Sequence, residues 1–270
     1  MKITSVEEFT TIVTQYENSW FRGVSSPIYD LRPRIHWDNI DIFSEDDLVY
    51  GFLREQFKYH SSINSNPWYL YALMQHHGLP TRLLDWSKSP LIALYFALTQ
   101  KAVNEDDHRV WIINPYKLNG FFTGVERVFC PSQVDTQMRY IETNTYFSAE
   151  KRSLEKYPQD IKVKLLFDSY LPANLTVSEK HLLLDFPMAI ETIPLDSRMS
   201  AQQSAFTVHG KCTKTLEEQV ASGIVEYIDI DFHSRNKLLQ QLHRLGIVED
   251  TIYCDLDSLA KRLRREKGYL

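Results

Sequence analysis

Charged residues interrupt the most apolar part of this sequence. In QHHGLPTRLLDWSKSPLIALYFAL, residues 75–98, Arg82 and Asp85 stand on either side of two leucines. Arg22 likewise follows two aromatic residues in SWFRGV. Burying a guanidinium or a carboxylate is costly without a partner. These residues can therefore form an internal ion pair, with Asp85 as the carboxylate, or an arginine can present its planar donors to a phosphate.

The residues after Trp86 predict the start of a helix. Pro90 suits a first helical position, and a serine such as Ser87 can cap it. The start of a helix offers free backbone N–H groups and a positive dipole end, which together attract anions. Trp86 and Tyr95 can stack on the flat ring of a ligand. We therefore predict an anion pocket that Arg22 completes from a neighbouring strand, or else a structural cluster with Trp86 in the core.

A third polar group precedes a later apolar segment, where Arg198 is followed by Gln202 and Gln203. Other patterns that carry chemistry are missing. The sequence contains no HExxH, CxxC, Walker A, GxGxxG or GxSxG motif. His76 and His77 are adjacent, so on a helix they point about 100° apart and share a metal ion poorly. We expect no metal, and we interpret His77 as a ligand contact or as a cation at a helix end.

The totals exclude several classes of protein. A net charge of −5 gives no overall attraction to nucleic-acid phosphates. The basic cluster KRLRREK at 261–267 is either a solvated helix end or a local patch for nucleic acid. The longest apolar run, near Leu91–Leu98, is much shorter than the roughly 20 residues that span a bilayer. We therefore predict no membrane partner.

The cysteines and the first residues indicate a cellular location. Three cysteines lie far apart, in a number that cannot pair completely. The first twenty residues mix polar and apolar types, unlike a signal peptide. We predict a cytoplasmic protein.

Periodicity and breakers predict a single α+β domain over residues 1–270. Helices are expected mainly toward the N terminus, and mixed or antiparallel strands mainly toward the C terminus. Ser5, Ser44, Asn66 and the serines before Pro90 are expected to open helices. The predicted strands are SWFRGV, RLLDW, RVWIINP, MAIETI, SAFTVHG and IVEYIDID.

Five motifs resemble the FRG domain family, in the same order along the chain. They are WFRG at 20–23, YDLRPRI at 29–35, the stretch quoted above at 75–98, SRMSAQQSAFTVHG at 197–210 and LHRLGIVEDTIYCDLDSLAKRL at 242–263. Together they run from about residue 18 to residue 263. Two positions depart from the family pattern: Ser204 stands where glycine is common, and Cys254 stands where proline is common.

A weaker similarity, at the level of the fold, is to the ADP-ribosyltransferases. It implies that Arg22 binds the phosphate of NAD and that Ser87 occupies the middle position beside the nicotinamide ribose. Gln203 takes the late position, where those enzymes carry an acid, so that Glu191 or Glu226 would have to replace it from a neighbouring strand.

The resemblance implies an NAD-dependent ADP-ribosyltransferase or NAD hydrolase, of the kind found among defence or toxin effectors. NAD is then a substrate, and the acceptor is a protein or a nucleic acid. The predicted catalytic residues are Arg22, Ser87 and Gln203, and the predicted binding residues are Arg22, Gly23, His77, Arg82, Asp85, Trp86 and Tyr95. The alternatives are a non-catalytic module that binds nucleotides or nucleic acid, and a buried network that only stabilises the fold.

Overall fold

The structure is a computed structural model that describes residues 2–59, 64–100, 104–133, 166–176 and 184–269. Those residues contain a seven-stranded sheet in the order β1-β7-β4-β2-β3-β6-β5. Its strands are Lys2–Ile3 (β1), Trp20–Val24 (β2), Leu83–Ser87 (β3), His108–Ile113 (β4), Met188–Ile190 (β5), Ser204–Val208 (β6) and Val225–Ile230 (β7). β1 runs parallel to β7, and every other neighbouring pair is antiparallel. The α+β class predicted from the sequence is therefore confirmed.

Helices alternate with these strands. They are Val6–Val13 (α1), Arg34–Trp37 (α2), Ile42–Glu55 (α3), Pro67–His76 (α4), Pro90–Thr99 (α5), Pro115–Thr123 (α6), Ser197–Ala201 (α7), Leu216–Gln219 (α8), Arg235–Arg244 (α9), Glu249–Tyr253 (α10) and Leu256–Glu266 (α11). The predicted caps of α1 and α4 are confirmed, since Ser5 and Asn66 accept backbone N–H groups of the first turn. The prediction for α3 was wrong, because Asp41 caps that helix and receives the N–H of Ser44.

The predicted separation of helices and strands along the chain was wrong. β1 to β4 all lie before residue 114, and α9 to α11 close the described chain. β2 and β3 are short and rich in aromatic and aliphatic residues, as expected of strands at the centre of a sheet. α9 and α10 contribute Leu238, Leu242 and Ile252 to the same hydrophobic core as β7.

Gly23 lets α5 lie directly on β2. A Cβ atom at this position would overlap the carbonyl oxygen of Ala93 and lie 2.6 Å from the backbone nitrogen of Ala97. The glycine of the Phe-Arg-Gly motif is therefore required by close packing of backbone on backbone.

The centre of the sheet is joined weakly. β2 pairs with β4 at five positions and β3 pairs with β6 at five positions, whereas β2 and β3 pair only at Phe21 and Ser87. Beyond that pair the two strands leave a gap, which we call the β2–β3 gap. The candidate site lies at this gap.

Candidate functional site

A cavity of about 290 Å³ opens beside the β2–β3 gap, and we call it the first cavity. It is lined by Phe21, Arg22, Gly23, Gln75, His76, Asp85, Trp86, Ser87, Phe96, Gln100, Arg198, Met199, Gln202, Ser204 and Phe206. The residues come from β2, β3, β6 and three helices that are distant in sequence. Four of the residues predicted to bind a ligand, Arg22, Gly23, Asp85 and Trp86, are among them.

Arg22 reaches the cavity from β2. Its Nη1 atom donates to the backbone carbonyl of Asp85 at 2.7 Å and lies 3.8 Å from the nearer carboxylate oxygen of that residue. Its Nε atom is buried and has no partner in the described part of the chain. Burial lowers the pKa of the Arg22 guanidinium, and the charge of Asp85 opposes that shift. An arginine begins so far above neutral pH that the group stays charged and can bind an anion.

The side-chain amide of Gln75 holds Asp85 in place. Its carboxylate accepts a hydrogen bond from Gln75 Nε2 at 2.8 Å, and the Oε1 atom of Gln75 accepts from the Thr81 hydroxyl at 2.6 Å. The second bond fixes which end of the Gln75 amide faces Asp85. The Asp85 side chain is 55% exposed, and among the residues that line the first cavity it is the only carboxylate.

Arg198 supplies a second cation from α7. Its guanidinium carbon lies 5.1 Å from the centre of the Tyr253 ring, a cation–π contact. Its Nε atom is buried and unpartnered within the described residues. Asp196 does not neutralise it, because that carboxylate caps α7 and lies 2.9 Å from Nε2 of His76. Two arginines and one carboxylate therefore line the cavity, so its lining carries a net positive charge.

Ser87 lines the cavity with its hydroxyl already engaged. The hydroxyl donates to the Gln202 carbonyl at 2.7 Å and accepts the backbone N–H of Ser89 at 3.0 Å. It thus ties β3 to the turn before β6 and supports the start of α5. Its role in the structure is to hold these elements together at the cavity wall.

Gln203 was predicted to be the polar residue that contacts the ligand late in the chain, but its neighbours line the cavity instead. Gln203 is exposed, has a left-handed φ of 49° and does not line the cavity. Gln202 and Ser204 line it instead. Neither acid considered as a replacement reaches the cavity: Glu191 pairs with Lys88 at 2.7 Å, and Glu226 accepts from the Tyr16 hydroxyl at 2.8 Å.

Arg82 belongs to a buried network outside the cavity, contrary to its predicted role in binding. Its Nε donates to Glu45 at 2.8 Å, and both side chains are almost completely buried. The Tyr71 hydroxyl donates to Glu45 at 2.6 Å and accepts the backbone N–H of Arg82 at 2.8 Å. The internal ion pair considered for this arginine therefore exists, with Glu45 in place of Asp85 as its carboxylate.

Two further predicted contacts are also one residue off. Tyr95 is 2% exposed and packs in the core, whereas Phe96 lines the cavity. His77 is exposed at the end of α4, whereas His76 lines the cavity. Successive helical residues point about 100° apart, so a motif on a helix does not tell which neighbour faces a site.

The Trp86 side chain points mainly into the core. It is buried and donates from Nε1 to the Thr207 hydroxyl at 3.1 Å. Trp86 therefore forms the cavity wall without offering an open ring face. Trp86 is therefore both a residue of the cavity wall and a residue of the hydrophobic core, so the two interpretations are compatible.

Two of the five cations in the basic C-terminal cluster pair with neighbouring acids. Arg262 pairs with Asp250 and Glu266, and Arg265 pairs with Glu249. These pairs favour the interpretation of the cluster as a solvated helix end over that of a patch for nucleic acid.

Within the described ranges, no group of three or more His, Cys, Asp or Glu side chains is placed to hold a metal ion. Nor do we find there a helix with the length and apolar character that crossing a membrane requires.

Comparisons with known proteins gave one match. Residues 17–106 match the family model of the FRG domain. Neither a search of curated proteins nor a search of solved structures found a match. The matched range contains Arg22, Gln75 and Asp85, whereas Arg198 and the motifs at 197–210 and 242–263 lie beyond it.

Proposed function

This chain carries an FRG domain at residues 17–106, and we propose that it binds a phosphate-bearing nucleotide, NAD, in the first cavity. The observation that carries the proposal is the pair of arginines that line this cavity from separate elements, Arg22 from β2 and Arg198 from α7. Each keeps a buried Nε atom without a partner in the described part of the protein. Two guanidinium groups on the wall of one cavity attract an anion and can donate hydrogen bonds to it.

Two guanidinium groups in one cavity suit a ligand with two phosphates. Guanidinium groups bind phosphate oxygens through two parallel hydrogen bonds, which gives direction as well as charge. The cavity volume of about 290 Å³ lies near the lower end of the range for ligand pockets, roughly 300–1,000 Å³. The first cavity therefore encloses the charged centre of a nucleotide and leaves other parts outside it.

Asp85 favours chemistry on the bound NAD. When the bond between nicotinamide and ribose breaks, nicotinamide leaves with the bonding electron pair and the ribose carbon becomes cationic. A fixed carboxylate stabilises that charge as it develops. Water or an acceptor then adds to the carbon and releases a proton, so the products are nicotinamide and ADP-ribose or an ADP-ribosylated acceptor. Asp85 takes this role in our proposal because Gln202, at the late position, is uncharged.

One observation favours binding without chemistry. The Ser87 hydroxyl is engaged by the protein on both sides, and the late position carries an amide. A nucleotide-binding module needs neither of these groups to be free. The paired cations of the C-terminal helix make nucleic acid the weaker ligand for such a module.

We include a cytoplasmic location in the proposal. Cys130, Cys212 and Cys254 form no disulfide in the described part of the chain, and disulfides are rare in compartments that keep thiols reduced.

The test is incubation with NAD, with nicotinamide release followed by chromatography and binding followed by thermal stabilisation. At ten times the dissociation constant, NAD should raise the free energy of unfolding by about 1.4 kcal/mol. We expect Arg198→Met to lose that stabilisation and Asp85→Asn to keep binding while losing release. Arg264→Met is the matched control, since Arg264 is exposed on α11 and away from the cavity.

The outcomes separate the two functions. Stabilisation with release supports the enzyme, and stabilisation without release supports the binding module. Absence of both with NAD, ADP-ribose and AMP would overturn the proposal.

A further inference from the structure

A second cavity adjoins the first, and we propose that it binds the planar base of the same nucleotide. The inference rests on the proposed function and extends it, because it makes one ligand occupy both cavities. The second cavity measures about 740 Å³. Four residues, Arg22, Gln75, Asp85 and Gln100, line both cavities, so the two meet at those side chains.

The β2–β3 gap explains why the cavities meet. After the pair formed by Phe21 and Ser87, no further backbone pair joins these strands, although both continue for several residues. The Arg22 guanidinium lies at the gap, where its Nη1 atom donates a hydrogen bond to the Asp85 carbonyl. A phosphate beside Arg22 would therefore lie at the boundary, with the rest of the nucleotide free to extend to either side.

Charge distinguishes the two cavities. In the second cavity, Arg32 forms two short hydrogen bonds with Asp30, at 2.8 and 2.6 Å. Arg34 likewise pairs with Asp38 at 3.1 Å. These arginines pair with carboxylates that line the same cavity, whereas Arg198 forms no salt bridge with Asp85, the one carboxylate that lines the first cavity. The second cavity therefore suits an uncharged part of a ligand, and the first suits its anionic part.

The second cavity also contains a surface for a flat ring. Trp37 is 39% exposed, and the Arg32 guanidinium carbon lies 4.5 Å from its ring centre. Tyr29 meets Trp37 edge to face, with ring centres 6.2 Å apart. Its backbone carbonyl accepts Trp111 Nε1 at 3.1 Å, which anchors this segment. Indole rings and guanidinium planes are the groups on which nucleobases stack.

The experiment compares AMP with ribose 5-phosphate, which carries a hydroxyl group where AMP carries the base. In titration calorimetry the unaltered protein should bind AMP at least tenfold more tightly, a typical gain from one stacked base. Trp37→Leu should remove this preference while leaving the affinity for ribose 5-phosphate unchanged. Trp37→Phe keeps a ring and should retain most of the preference.

The control is Tyr116→Leu, which alters an aromatic residue of similar exposure, 38%, in a separate cavity. It should leave both affinities unchanged. Equal affinities for AMP and ribose 5-phosphate, or a preference that survives Trp37→Leu in a folded protein, would overturn the inference and leave the phosphate site standing. Failure of both ligands to bind would overturn the proposed function together with the inference.

Discussion

Arg22 donates from Nη1 to the main-chain carbonyl of Asp85 at 2.7 Å, while the Asp85 carboxylate lies farther away, at 3.8 Å. The guanidinium thus satisfies a carbonyl of β3 at the place where β2 provides no backbone pair. The carboxylate is left to Gln75 and to the cavity. One side chain therefore bridges the β2–β3 gap and lines both cavities, which connects the Phe-Arg-Gly motif to the site.

Replacing Arg22 by lysine tests this double role. Lysine keeps the charge but lacks the planar fork that binds a phosphate and a carbonyl together. We expect the affinity for AMP to fall at least tenfold, measured by calorimetry. The free energy of unfolding, measured in urea, should fall by only about 1 kcal/mol, because one hydrogen bond of a partly exposed group is lost. A loss of several kcal/mol with unchanged AMP affinity would make Arg22 purely structural.

Replacing the buried Arg82 should affect stability strongly, in contrast to the replacement of Arg22. Arg82→Met leaves the Glu45 carboxylate without its partner in the core and should cost about 3–5 kcal/mol of unfolding free energy. In the double variant with Glu45→Leu, no charge is left unpaired. We therefore expect the double variant to be more stable than Arg82→Met alone, as measured by urea unfolding and a double-mutant cycle. Additive losses would contradict a coupled pair.

The sequence predicted the elements at the site better than the individual contacts. WFRGV and LLDW were correctly predicted to be strands, because aromatic and aliphatic strand formers and flanking breakers are local signals. Pro90 correctly marked the start of α5. Which strands pair, and that β2 and β3 pair only once, depends on long-range packing that no local pattern contains.

Errors at single residues have the same origin. Tyr95 and Phe96 are adjacent aromatic residues of one helix, and His76 and His77 are adjacent histidines. The motif alone does not tell which member of each pair faces the cavity. Glu45 and Arg82 are 37 residues apart, so their pairing could not be predicted from spacing. Arg198 broke an apolar pattern and was visible as an anomaly, but its place in the first cavity required the fold.

Gly23 should tolerate no side chain. Gly23→Ala places a methyl group against the backbone of α5 at Ala93 and Ala97, which cannot move aside as a flexible side chain would. We expect the free energy of unfolding, measured by heat or urea, to fall by about 1–3 kcal/mol. Gly51→Ala is the matched control within α3, where nothing lies within 4 Å of the new atom and helix propensity favours alanine by about 1 kcal/mol. Equal effects of the two substitutions would refute the packing explanation.

Two histidines beside the arginines should make the protein sensitive to acid. Burial, then the nearby His36 and Arg22, lower the pKa of His209 from 6.5 to about 3. Burial, then Arg82 and Arg32, lower that of His36 to about 4. Above pH 6.5 both are neutral in the folded and the unfolded chain. As the pH falls below 6.5, only the unfolded chain takes up their protons, so the free energy of unfolding decreases.

The decrease should reach about 1.4 kcal/mol per pH unit for each histidine between pH 6.5 and the folded-state pKa. His209→Gln removes one of these groups, so its free energy of unfolding should decline less steeply than that of the unaltered protein between pH 6.5 and 4. Urea unfolding across this range measures both slopes, and carboxylate contributions cancel in the comparison. His233→Gln, at an exposed position, is the control and should keep the original slope. If His209→Gln keeps it as well, His209 is protonated in the folded protein and the proposed neutral state is wrong.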